Sequence, residues 1–330
     1  MNHTIPLTII IPSHNSERTI NQCLDSTFQE FGSEHQVIVA DDCSHDKSPE
    51  IVAGYPVVFL NHDKRCGAGA ARNRGIAQAS HPWILFLDSD IVVKPGTYQI
   101  LQNAFKNHPE DVSFGSVSDL QPANRGIFQE FLACRAHFQY ASGPEYSTAF
   151  PSQLVLVKKE VFEKFGVFSE RFVTAGGEEF EMGYRLSQNG IRTRILPDFQ
   201  FYHVYDGFWE RLKKYFLRSR IYYQLFKVQG SFETVIASVT ETIRSLYTFY
   251  GLLGFLAFPS LLYLVIYLFI YLLLDSKFLR FLVKRKGLLF AIYASAVNYT
   301  VFIAIALGGL VAVFEDGFRL LFVRKKVQPC

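Results

Sequence analysis

Five apolar residues, Trp83-Ile84-Leu85-Phe86-Leu87, run without a break into Asp88-Ser89-Asp90. An apolar run of this length reads as a strand buried on both faces, as in parallel sheets covered by helices. In extended geometry Asp88 and Asp90 alternate with Ser89 and point the same way. Two aligned carboxylates at the end of a buried strand are costly unless a cation sits between them. Carboxylate oxygens favour a hard ion, Mg²⁺ or Mn²⁺, held jointly with a substrate's phosphates. Asp-Ser-Asp is also good turn chemistry, so the local sequence leaves both readings open.

The first 200 residues repeat the pattern of strand and helix. Residues 7–11 predict a first buried strand, broken by Pro12-Ser13-His14-Asn15. A helix over 16–31 follows, with Ile20, Leu24 and Phe28 on one face. Residues 36–40 predict a second strand that ends in Asp41-Asp42-Cys43-Ser44, and residues 57–60 a third. Short strands alternating with helices mean βαβ units and a parallel sheet. Ligands of such sheets bind beyond the carboxyl ends of the strands. Asn15, Asp41, Asp42, Asp88 and Asp90 all fall there.

Gly67-Ala68-Gly69 opens the helix after the third strand. A dinucleotide fingerprint would follow the first strand, so this is not one. The free N–H groups of a glycine-rich helix start suit a phosphate. Arg72 can add a forked contact to a diphosphate or a base. Small residues for close helix packing explain the same stretch.

Several segments, in order, resemble the motifs of family 2 glycosyltransferases with the GT-A fold. They are Ile11-Pro12-Ser13-His14-Asn15-Ser16-Glu17, Val39-Ala40-Asp41-Asp42-Cys43-Ser44-His45-Asp46, Ala71-Arg72-Asn73-Arg74-Gly75 and Asp88-Ser89-Asp90. Further on come Phe165-Gly166-Val167-Phe168-Ser169-Glu170-Arg171-Phe172, Gly176-Gly177-Glu178-Glu179-Phe180-Glu181-Met182-Gly183-Tyr184-Arg185-Leu186, Pro197-Asp198 and His203. The resemblance implies an α/β, Rossmann-like catalytic domain with a mostly parallel sheet over residues 1–205.

It also implies roles. Pro12, His14, Asn15 and Glu17 would line a nucleotide pocket. Asp41 or Asp42 would bond the base, and Arg72 would support base or diphosphate. Asp88 would touch ribose or metal, Asp90 would ligate the metal, and His203 would contact metal or diphosphate. Glu179 stands at the catalytic-base position, with Glu178 beside it. Two residues depart from the family's habit: His14 replaces a tyrosine, and Glu179 replaces an aspartate with a longer arm.

Read without the family, Glu178, Glu179 and Glu181 crowd three acids into one predicted helix start. Glu178 and Glu181 share a face while Glu179 points elsewhere. Mutual repulsion suits proton uptake, whereas an acidic first turn also complements the helix dipole. Phe128, Phe131, Leu132, Phe138 and Tyr140, with Arg125, Arg135 and His137, fit either an acceptor surface or an ordinary packed helix.

The net charge of +3 leaves no nucleic-acid footprint. Five cysteines without metal-type spacing read as reduced thiols in a cytosol-facing protein. Residues 1–6 carry no basic n-region, which predicts no signal peptide. Residues 206–250 read as amphipathic interfacial helices, with aromatics and basic flanks over 208–227. Residues 251–330 form a hydrophobic membrane region with candidate spans 251–274 and 288–314, each long enough for a bilayer core needing about 20 residues. The expectation is a two-helix transmembrane hairpin. Lys277, Arg280, Lys284, Arg285 and Lys286 in its loop run against the positive-inside tendency, while Arg319, Arg324, Lys325 and Lys326 pull the other way. A re-entrant or interfacial first segment fits as well.

The reading is an inverting, metal-dependent glycosyltransferase with its catalytic domain at the cytosolic face of a membrane, the plasma membrane if bacterial. A nucleotide-sugar donor, UDP by family habit, would give its sugar to a hydroxyl of a lipid-linked or growing glycan. Membrane lipids are the other partner. One alternative takes a polyprenyl phosphate as acceptor. A nucleotidyltransferase is disfavoured, because it would need a glycine- and arginine-rich loop where Pro12-Ser13-His14-Asn15 stands. A non-catalytic scaffold is disfavoured by the retained Asp88, Asp90 and acid cluster.

Overall fold

The structure is a computed structural model that describes residues 5–173, 176–229 and 236–322. The signal-peptide expectation at residues 1–6 falls mostly outside these residues, and Arg324, Lys325 and Lys326 fall wholly outside them. The chain divides into two compact units, Met1–Asp206 and Gly207–Cys330.

The first unit is a sheet with helices on both faces. Its strands are β1 (Leu7–Ser13), β2 (Gln36–Asp41), β3 (Val58–Asn61), β4 (Trp83–Leu87), β5 (Ile91–Val93), β6 (Ser113–Ser118), β7 (Tyr146–Ser147), β8 (Leu154–Lys158) and β9 (Thr193–His203). Its helices are α1 (Ile20–Phe31), α2 (Ser48–Val52), α3 (Ala68–Gln78), α4 (Thr97–Asn107), α5 (Ile127–Ala141), α6 (Lys159–Phe165) and α7 (Glu178–Gln188). The strand order is β3-β2-β1-β4-β8-β6-β9-β5, with β7 pairing on β9. β1, β2, β3, β4, β6 and β9 run the same way, and β5, β7 and β8 run against them. The sheet is therefore mixed but mostly parallel.

Alternation along the central strands makes two cores. Leu7, Ile9, Ile11, Leu85 and Leu87 pack on one side with Ile20 and Leu24 of α1. Ile10, Ile84 and Phe86 pack on the other with Phe150, Phe162 and Phe168. α3 lies so close that a Cβ at Gly75 would sit 2.4 Å from the Ile10 side chain. Both faces are covered, as the unbroken apolar runs require.

The second unit holds α8 (Phe208–Gln229), α9 (Ile236–Ala257), α10 (Leu261–Leu274), α11 (Ser276–Lys286) and α12 (Leu288–Phe322). Within α12, Leu288–Phe318 is long and apolar enough to cross a membrane. α8 packs along it, with Arg220 bonded to Glu315 at 2.6 Å and Ser219 seated against Gly308. The expected span 251–274 is not one helix. Pro259 lacks an N–H and disfavours helical geometry at Phe258, so α9 stops at Ala257. α10 restarts after Ser260, whose hydroxyl oxygen accepts the Tyr263 N–H at 3.1 Å. A further bend of 72° separates α10 from α11. The hairpin present pairs α9 with α10, through Tyr263 Oη donating to the Gly251 carbonyl and Arg244 Nε to the Leu274 carbonyl.

Candidate active site

Strand direction decides which residues meet. β1, β2, β4 and β9 share a direction, so Ser13, Asp41, Leu87 and His203 end at the same edge of the sheet. β8 runs the other way and starts opposite the end of β4, with Leu87 in register with Leu154. The loop before β8, including Ser152, therefore reaches that same edge.

The loop after β1 is bound to the loop after β2. His14 Nδ1 lies 2.8 Å from the Asp42 carbonyl oxygen. Asn15 sits at a positive φ of 50°, its N–H donating to Ser44 Oγ and its Oδ1 accepting the His45 N–H. Glu17 accepts the Lys47 N–H and gives its own N–H to Asp46. Pro12 is buried inside β1. His14, Asn15 and Glu17 with their partners form one ridge at the surface, and Pro12 lies in the strand beneath it.

Asp41 and Asp42 are both buried and both already engaged. Asp41 accepts the Ser44 N–H and hydroxyl, at 2.8 and 2.6 Å. Asp42 accepts the N–H groups of Cys66 and Gly67, each at 2.7 Å. The chain's own carboxylate thus takes the two N–H groups just before α3. Gly67 is required at this point, because its φ is +96° and a Cβ would lie 2.5 Å from the Phe172 carbonyl oxygen.

Asp88 and Asp90 lie in a turn and engage different partners. β4 ends at Leu87, and the Ile91 N–H donates to the Asp88 carbonyl, closing a turn in place of extended strand. Asp88 Oδ1 accepts Arg72 Nη2 at 2.7 Å, whereas Asp90 Oδ2 lies 3.1 Å from His203 Nε2. Ser89 joins this turn to the first loop through Ser16, Oγ to Oγ at 2.8 Å. Burial and the neighbouring Asp90 charge hold the Asp88 carboxyl above its usual range, against the pull of Arg72.

Arg72 is the correction of most consequence. The helix start was expected to aim it at a ligand, but it is buried and forked between two acids, with Nη1 3.0 Å from Glu178 Oε1. Its guanidinium lies over the Phe168 ring, 5.5 Å from the centroid. Burial alone would lower its pKa, yet Asp88, Glu178 and Glu179 raise it above the arginine norm. It ties the end of β4 to the start of α7.

The three acids of α7 have separate partners. Glu178 is buried and accepts the Gly176 and Gly177 N–H groups on Oε2, in addition to Arg72 on Oε1. Glu181 pairs with Arg185 one turn on, at 2.9 Å. Glu179 is half-exposed, and the fully buried Ser152 donates its hydroxyl to Glu179 Oε2 at 2.8 Å. Of these two neighbouring carboxylates, Glu178 is buried and Glu179 reaches solvent.

Asp90 and His203 bring a carboxylate oxygen and an imidazole nitrogen to 3.1 Å of each other, donor types that suit Mg²⁺ or Mn²⁺, while Asp88 is engaged by Arg72. The His203 ring is fixed by Tyr205, edge to face at 4.2 Å. Among the described residues, tight ligand spacing is found at His108, Glu110 and Asp111, before β6 at the opposite edge. There Arg194 already pairs with Asp111.

Residues 8–165 match the family described as Glycosyl transferase family 2. The chain carries a family 2 glycosyltransferase domain. Among relatives of this glycosyltransferase domain, the succinoglycan biosynthesis protein ExoO of Rhizobium meliloti (strain 1021) is 39% identical over 92 residues, 27% of this chain and 26% of that protein. The uncharacterized glycosyltransferase YibD of Escherichia coli (strain K12) is 34% identical over 117 residues, 34% of each chain. The aligned stretches thus span only about a quarter to a third of these relatives. In fold, the chain is similar to the mannosyltransferase PcManGT from Pyrobaculum calidifontis, solved with GDP-Man and Mn²⁺, at a TM-score of 0.51 and 15% identity, over 97% of this chain and 88% of that one. The fold of the glycosyltransferase domain is GT-A.

Sequence reasoning missed Ser152 and Phe168 in this domain. Ser152 stands 27 residues before its partner, in a loop without a motif. Phe168 was quoted only as part of a motif, and its place beneath Arg72 shows only in three dimensions. In α5, Phe128, Phe131 and Leu132 are buried core, while Arg135, His137, Phe138 and Tyr140 are half-buried.

Proposed function

We propose that the chain transfers a sugar, with inversion, from a nucleotide-sugar donor to a hydroxyl of a lipid-linked or growing glycan at the cytosolic face of a membrane. The observation that carries this reading is Arg72, which touches both the acid at the end of β4 and the acid beside Glu179. One side chain thereby spaces a donor site and a base site.

The ridge of His14, Asn15 and Glu17, with Pro12 beneath it and Asp41 and Asp42 behind, offers the donor's base and ribose a fixed wall. Asp88, Asp90 and His203 would hold Mg²⁺ or Mn²⁺, which when bound offsets the charge of a departing nucleoside diphosphate. Glu179 accepts the proton of the acceptor hydroxyl. The freed oxygen attacks the anomeric carbon opposite the diphosphate; the glycosidic bond forms as the bond to the diphosphate breaks, and the configuration inverts. Ser152 keeps the Glu179 carboxylate aimed. A phosphate acceptor is already ionised near neutral pH and needs no such base, so a hydroxyl is the better match. A relative named for succinoglycan biosynthesis supports a glycan acceptor.

Thermal unfolding of the full chain with nucleoside diphosphates, with and without Mn²⁺, tests the donor half. A ligand at 100 times its Kd stabilises by about 2.7 kcal/mol. A rise in Tm for one base, dependent on Mn²⁺, is expected; no rise with any nucleotide and either metal would remove the reading.

A further inference from the structure

The second unit is inside out for a water-exposed helical hairpin. A helix docked in water buries its apolar side and exposes its polar side. At the tip of the α9–α10 hairpin, Phe258, Leu261 and Leu262 are 76%, 77% and 70% exposed, and Phe269 further along is 65% exposed. The polar groups face inward. Tyr267 Oη donates to the Thr248 carbonyl at 2.9 Å, Tyr263 Oη to the Gly251 carbonyl at 3.0 Å, and Tyr271 Oη to the Ser295 carbonyl of α12 at 2.8 Å.

The turn satisfies several of its own N–H groups. The Phe258 N–H donates to the Gly254 carbonyl, the Ser260 N–H to the Phe258 carbonyl, and Pro259 has none. The Tyr263 N–H is taken by the Ser260 hydroxyl and the Leu264 N–H by the Ser260 carbonyl. Each N–H satisfied internally lowers the cost of entering a hydrocarbon phase.

Charge is confined to the other end. At the base, buried Asp275 accepts Asn298 Nδ2 at 2.8 Å and lies 3.4 Å from Arg244 Nη1. α11 then turns away by 72°, carrying Lys277, Arg280, Lys284, Arg285 and Lys286 and no acid. Its Phe278 and Leu282 are buried. Length fixes the depth: the 14 residues of α10 rise about 21 Å at 1.5 Å each, short of a hydrocarbon core of about 30 Å.

We propose that α9 and α10 form a re-entrant hairpin whose Phe258–Leu262 tip enters the bilayer and returns to the face it left, with the cations of α11 resting on anionic headgroups. The charge at one end and the apolar tip at the other commit the occupant to lipid rather than a protein groove. The inference does not depend on sugar transfer.

Single cysteines at Thr240, Leu262 and Lys277 in the full chain test it. Sealed membrane vesicles of both orientations are treated with an impermeant maleimide, and the label is located by mass spectrometry. Thr240→Cys and Lys277→Cys are expected to label from the same face, and Leu262→Cys from neither. Labelling of Leu262→Cys from either face, or of the other two from opposite faces, overturns the proposal. Phe258→Trp gives a second readout in proteoliposomes of phosphatidylcholine and phosphatidylglycerol. Phosphatidylcholine brominated on the acyl chain should quench it well beyond wild type; equal quenching contradicts insertion.

Discussion

Glu178 lies 3.0 Å from Arg72, and the two side chains are only 2% and 4% exposed. Removing one partner of such a pair strands the other charge, at a cost of about 3–5 kcal/mol. Arg72→Met is expected to lower the urea midpoint of the catalytic unit by that order and to abolish turnover. Arg72→Met with Glu178→Leu should regain much of the stability and none of the activity, because Asp88 stays unpaired. Urea titration beside donor turnover checks both halves.

Ser152 contributes through Glu179 alone. A hydrogen bond to a charged group is worth about 1.5–3 kcal/mol, and 1.4 kcal/mol is tenfold in rate. Half-exposure of Glu179 puts the effect at the lower end. Ser152→Ala should lower kcat about tenfold with donor affinity unchanged, read from steady-state kinetics and nucleotide titration.

Asp90 bears on the ion. Asp90→Ala should fold with an unchanged thermal midpoint in chelator yet lose binding of Mn²⁺, measured calorimetrically with a nucleoside diphosphate present. Wild type treated with excess chelator should lose turnover and regain it when Mn²⁺ or Mg²⁺ is returned.

His35 sets an acid limit on stability. Its ring is buried, Nδ1 accepts the Leu7 N–H at 3.1 Å, and burial holds its pKa below the usual value despite Glu34 beside it. Above about pH 6.5 the ring is neutral in folded and unfolded chains alike. As the pH falls below that, the unfolded chain takes up a proton that the folded ring refuses, so stability declines. His35→Gln keeps an acceptor for Leu7 and should show a flatter loss of stability between pH 7 and 5.

What could be read from residues alone followed from local pattern. β4 spans 83–87 as the apolar run dictates, because burial on both faces leaves no other use for five such residues. The side-chain directions of Asp88 and Asp90 were not legible, since they depend on where β4 stops, and β8 and α3 decide that. Arg72 looked like a ligand contact because sequence shows a cation at a helix start, not the two acids 16 and 106 residues away. Pro259 was visible in the sequence, yet uncharged length alone made 251–274 look continuous.

Glu179→Gln tests the central claim most directly. It keeps the size of the side chain and an oxygen for Ser152 while removing the base. With donor, Mn²⁺ and a glycan acceptor, nucleotide binding should match wild type while single-turnover transfer falls about 10²- to 10⁴-fold. Transfer at the wild-type rate, whether to a hydroxyl or to polyprenyl phosphate, would contradict base catalysis by Glu179.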